Sequence, residues 1–117
     1  MGGKLMNKFA FFAFKGELMC FQHVLLNALD MNSKGMESKV VIEGEAVKLV
    51  REMEEGQNPL YMKAREKGII AGICKACSAK LGVLEYNQTV GLPMLDDMSG
   101  HPSMAAFIAQ GYQIITL

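Results

Sequence analysis

Twelve lysines and arginines offset twelve aspartates and glutamates in this 117-residue chain, and half of its residues are apolar. That length and composition imply one domain with enough apolar surface for a core. They leave no basic field for nucleic acid, and no stretch approaches the length of a membrane span.

The chain begins Met1-Gly2-Gly3, but position 6 is Met rather than Ser or Thr, so a myristoylation pattern is incomplete. Lys4 and Lys8 precede the run Phe9 to Phe14, which is too short for a secretory h-region. Lys15-Gly16-Glu17 follows it in place of a small-residue cleavage site. Residues 7–14 do not alternate, and a continuous apolar run suits a central strand covered on both faces of a parallel sheet. Beyond the turn at Lys15-Gly16-Glu17, Leu18, Phe21, Leu25, Ala28 and Leu29 recur at three- and four-residue steps. That spacing predicts an amphipathic helix to about Met31, stopped by Asn32-Ser33-Lys34-Gly35.

Lys39 to Glu43 reads as a second strand, broken by Gly44. Glu45 opens a helix with Ala46, Val47, Val50 and Met53 on one side, and Glu52, Glu54 and Glu55 are expected on its solvated face. Gly56-Gln57-Asn58 ends it. Pro59 suits the first position of a further helix, Leu60 to Lys67, because its missing N–H costs nothing there. Gly68 caps that helix, and Ile69 to Ile73 is a third, buried strand.

The third strand runs into Cys74-Lys75-Ala76-Cys77 and then into helix formers that end at Gly82. A thiol at such a helix start meets the positive end of the helix dipole, and Lys75 and Lys80 add positive charge. Residues 84–95 contain Gly91 and Pro93 and show no clear period, and Leu92 to Leu95 reads as a short strand or part of a helical lid. Asp96 to His101 is a polar loop. Pro102 fits a first helical turn, and Ser103 to Gln110 is a helix with Ser99 or His101 as its cap, stopped by Gly111. Tyr112 to Leu117 is a last strand, rich in β-formers.

Strands alternating with helices predict a three-layer α/β/α sandwich on a mostly parallel sheet of four to five strands, joined by right-handed crossovers. Function in such sheets collects at the carboxyl ends of the strands. With the first strand between the second and third, a flavodoxin-like order, Lys15-Gly16, Glu43 and the two cysteines share one edge.

This layout, and above all Ile73-Cys74-Lys-Ala-Cys77-Ser-Ala-Lys-Leu-Gly82-Val83, resembles the DsrE/DsrF-like sulfur-relay family. The resemblance implies a cysteine that accepts sulfur as a persulfide and passes it on, a role that falls on Cys77, five residues before Gly82. It also implies a homo-oligomer, trimer or hexamer, working with sulfur donor and acceptor proteins. The blander reading makes Cys77 a small buried hydrophobe in a non-catalytic oligomeric domain that binds a small ligand or a partner. Cys74 either resolves a persulfide by forming a disulfide or packs at the strand end.

Three cysteines and no secretory signal point to a reducing, cytoplasmic setting. Cys20-x-x-His23 together with Cys74-x-x-Cys77 would make a Cys3His zinc set. A packed cysteine beside a helical histidine is the commoner outcome, so neither metal nor cofactor is assigned. His101 is a candidate proton donor or acceptor if its loop folds over the cysteine edge. Lys15 and Gly16 are candidates for holding an anionic group after the first strand, with Glu43 at the end of the second. Asp96 and Asp97 read as solvated loop acids.

Overall fold

The computed structural model describes residues 7–117; the Met1-Gly2-Gly3 start and Lys4 lie outside them. Five strands form one parallel sheet: β1 (Lys8–Ala13), β2 (Glu37–Ile42), β3 (Ile70–Cys74), β4 (Met94–Leu95) and β5 (Gln113–Thr116). The helices are α1 (Leu18–Ser33), α2 (Leu49–Glu55), α3 (Pro59–Glu66), α4 (Lys75–Lys80), α5 (Leu84–Asn87) and α6 (Met104–Ala109). Among the described residues no helix is long and apolar enough to cross a membrane.

The α/β class and parallel sheet are as expected, but the strand order is β4-β3-β2-β1-β5, so β2 and not β1 stands between its neighbours in sequence. The flavodoxin-like order is therefore corrected. The reason lies in the crossovers. Each of β1, β2 and β3 pairs with the next strand in sequence, and a right-handed connection repeated in one direction puts the helices between them on the same face. Only the last connection runs back across the sheet, placing β5 beside β1 and α6 on the opposite face.

The two faces are covered unequally. Phe11, Val40, Ile42 and Ile73 meet Phe21, Leu25, Val50 and Tyr61 in the large core beneath α1 to α4. Ala10, Phe12, Val41 and Tyr112 form a small core under α6, joined by the partly buried Met104 and Phe107. The side chains of β1 divide between the two cores, which accounts for the unalternating Phe-Ala-Phe-Phe-Ala run.

Local differences have local causes. Gly44 starts a 3-10 turn, Gly44–Lys48, before α2, with φ of 51° and the Glu43 side chain accepting its N–H. Glu54 is not solvated: it accepts hydrogen bonds from the Tyr61 hydroxyl and from Arg65. The stretch 84–95 contains α5 and the two-residue β4. Gly72 permits that edge pairing, because a Cβ there would lie 2.6 Å from the Pro93 carbonyl oxygen. The cap of α6 is Ser103, whose hydroxyl accepts from Ala106 N–H, not Ser99 or His101.

Candidate functional site: a Glu-Cys-Cys-His cluster at the strand ends

The parallel sheet sends the ends of β2 and β3 to the same edge, and the loop leading into α6 folds over them. Glu43 follows β2, Cys74 closes β3, Cys77 lies in the first turn of α4, and His101 ends the loop. One side-chain ligating atom from each of these four lies within 4.8 Å of the others. His101 Nδ1 is 3.2 Å from Cys74 Sγ and 3.8 Å from Cys77 Sγ. The Cys77 thiol donates to Glu43 Oε1 at 3.4 Å, and the same oxygen lies 3.9 Å from His101 Nδ1.

Backbone geometry brings His101 there. Met98 and His101 exchange N–H···O bonds of 2.7 and 2.9 Å around Ser99 and Gly100, whose φ values are 51° and 90°. Positive φ at both central residues is the pattern of a type I′ turn. The Gly100 carbonyl then accepts Ala76 N–H at 2.8 Å, tying the turn to the start of α4. A Cβ on Gly100 would sit 3.2 Å from that of Ala76.

The two cysteines differ in kind, and both are free. Cys74 is 0% exposed, whereas Cys77 is half-buried and opens on a cleft of about 540 Å³ lined by Phe14, Glu43, Met98, His101 and Met104. Burial pushes the Cys74 thiol well above its ordinary pKa; its sulfur accepts Cys77 N–H at 3.4 Å, which opposes that push, and the Glu43 carboxylate adds to it. The expected helix-start support is thus placed differently: the amide points at Cys74, which caps α4, while Cys77 faces a carboxylate and an imidazole. Lys75 turns to Asp96 at 3.8 Å, and Lys80 is exposed.

Of the residues singled out in the sequence, Glu43, Cys74, Cys77 and His101 come together. Lys15 does not join them; it lines another cavity with Cys20, His23, Val24 and Leu117. Gly16 is a packing position, since a Cβ there would be 2.8 Å from that of Glu45. Cys20 donates to Glu17 at 3.4 Å. Cys20 and His23 are therefore on the other cavity, and the Cys3His set is not formed. Asp97 is structural, accepting Ser103 N–H at 3.1 Å.

The sequence reading missed two supporting residues. Ser78 donates to the Cys74 carbonyl at 2.8 Å, and buried Asn87 donates to Ser78 Oγ at 3.1 Å and to the Val47 carbonyl at 3.0 Å. These bonds tie α5 and the 3-10 turn to the base of the cysteine helix. The available signal was a polar residue at 87 among Val83, Leu84, Tyr86 and Val90.

With this geometry in hand, comparison with known proteins is informative. The DsrE/DsrF-like family matches residues 21–117. The chain is 32% identical over 98 residues to the uncharacterized protein MJ0733 of Methanocaldococcus jannaschii, covering 81% of this chain and 78% of that protein. It is also 37% identical over 49 residues to an uncharacterized protein of Archaeoglobus fulgidus, covering 42% of this chain and 80% of the relative. No solved structure gives a significant match. The match from α1 to the last strand includes all four residues of the cluster, and the chain belongs to the DsrE/DsrF-like family.

Proposed function

We propose that this chain is a sulfur carrier, a sulfurtransferase-like subunit that holds sulfane sulfur as a persulfide on Cys77 and delivers it to a partner protein. The observation that carries the reading is the asymmetry of the pair: Cys77 opens on a cleft with the Glu43 carboxylate at 3.4 Å and the His101 imidazole at 3.8 Å, and Cys74 is sealed beneath it.

In the loading step, Glu43 or His101 takes the Cys77 proton, and the thiolate attacks the outer sulfur of a donor persulfide. The bond from Cys77 Sγ to that sulfur forms, the donor S–S bond breaks, and the donor leaves as a thiolate that takes a proton. Unloading is the same exchange with the acceptor thiol as nucleophile, and no net redox change occurs. Burial of Cys74 keeps donor and acceptor away from it, which suits carrying sulfur more than reducing it.

The same reading makes the protein a cytoplasmic homo-oligomer, trimer or hexamer. Exposed Met19 and Leu26 on α1 and Ile108 on α6 are apolar surface of the kind subunits cover. Sedimentation showing only a monomer at all concentrations would remove that part.

Incubation with a low-molecular-weight persulfide, followed by peptide mass spectrometry, tests the transfer. Cys77 is expected to gain one sulfur atom, Cys74→Ser to retain the gain, and Cys77→Ser to lose it. Half-buried Cys20, outside the cluster, is the internal control. No sulfur on Cys77, or equal sulfur on Cys20, overturns the proposal.

A further inference from the structure

We propose that Glu43, Cys74, Cys77 and His101 form a four-coordinate site for a zinc-class divalent cation, and that the ion competes with sulfane sulfur for Cys77. The first argument is metric. With Zn–S near 2.3 Å and Zn–N or Zn–O near 2.0–2.2 Å, a regular tetrahedron has ligand–ligand edges of roughly 3.3–3.8 Å. Four of the six edges here are 3.2, 3.4, 3.8 and 3.9 Å. The remaining two, which both involve Cys74 Sγ, lie within 4.8 Å.

The second argument is electrostatic. Glu43 is 6% exposed, and among the described residues no lysine or arginine forms an ion pair with it. A buried carboxylate without a cation is costly, and a bound divalent ion supplies the missing charge.

The third is that outer contacts already orient the ligands, as metal sites require. Gly44 N–H donates to Glu43 Oε1 at 3.3 Å, and Cys77 N–H donates to Cys74 Sγ at 3.4 Å. Ala76 N–H holds the Gly100 carbonyl, one residue before His101. Two thiolates, an imidazole and a carboxylate in a tetrahedron select zinc-class ions over magnesium or calcium, which prefer all-oxygen shells. On binding, the two thiol protons pass to solvent and two S–metal bonds form, without oxidation or reduction.

The metal site stands whether or not Cys77 carries sulfur; only the competition rests on the sulfur-carrier reading. Reduced, chelator-stripped protein is titrated with cobalt(II) as a spectroscopic probe and with zinc against a chromophoric chelator. The expected result is one ion per chain and thiolate-to-cobalt charge-transfer absorption. Cys77→Ser, Cys74→Ser and His101→Ala should each lose more than the roughly 10- to 100-fold in affinity that removal of an outer partner costs. Glu43→Gln should weaken binding and Cys20→Ser should leave it unchanged.

Should a variant fail to fold, wild-type protein still decides the matter: zinc must slow alkylation of Cys77 and leave Cys20 unaffected. Less than one ion per chain, cobalt spectra without thiolate absorption, or no protection of Cys77 overturns the site. The competition is read by repeating persulfide loading with and without zinc. Loading that zinc does not suppress overturns the competition, and metal-free protein that takes up zinc in the titration but never loads sulfur removes the sulfur reading alone.

Discussion

Replacing Phe107 by alanine should loosen α6 and the His101 loop ahead of the rest of the molecule. No residue of α6 is fully buried, and its ring at position 107 is the main anchor. That ring meets Phe12 edge-on at 5.5 Å and Tyr112 at 5.7 Å. Each such pair contributes about 0.5–1.5 kcal/mol beyond burial. Half-burial of the ring adds about 1 kcal/mol of the roughly 1.5–3 that full burial gives. The total, about 2–4 kcal/mol, corresponds to a roughly 30- to 1000-fold rise in the open population of this layer. Hydrogen exchange read by mass spectrometry is the assay. Amides of α6 should lose protection by that factor, while those of α1 and β2, in the large core, keep theirs. Unchanged exchange in α6, or an equal loss in α1 and β2, would refute the view that α6 is a thin layer opening on its own.

Gly72→Ala should cost about 1–3 kcal/mol through overpacking, because its Cβ would lie 2.6 Å from the Pro93 oxygen and 2.7 Å from Leu95 Cγ; an unchanged urea midpoint contradicts this. Asn58→Ala removes the side-chain cap that accepts Tyr61 N–H at 3.1 Å, and a loss of about 1 kcal/mol is expected in urea unfolding. Burial, followed by its hydrogen bond to the Glu37 carboxylate, pushes Tyr112 up to about 12. The folded state then keeps this proton after the unfolded chain has lost it, so stability should fall as pH rises from about 10 to about 12 and not below that window. Thermal melts across that range, with Tyr112→Phe as the control, check the sign: the variant should show a smaller fall.

The elements were legible wherever burial dictates the residue types. The helix from Leu18 follows from apolar spacing, the strand after Lys67 from an unbroken apolar run and the last strand from its β-formers. Strand order was not legible, because it depends on which neighbour each strand pairs with, and both orders bury the same residues. The 84–95 stretch was unreadable for another reason: β4 has two residues, too few for any period, and is held by Gly72 and Pro93 from outside its own sequence. Cys74 and Cys77 stood out by their spacing. Their sharing of an edge with Glu43 followed from parallel strands, whereas His101 arrives through a turn whose docking on Ala76 leaves no mark in local sequence.

The place of β5 has a consequence for how the chain reaches this shape. Phe9 to Phe12 pair with residues 113–116, about a hundred positions later. Until those residues arrive, one side of a phenylalanine-rich strand offers unsatisfied amides and carbonyls to any extended segment nearby. Shortening the chain before Tyr112 should therefore produce aggregates nucleated at Phe9 to Phe12, not merely a less active protein.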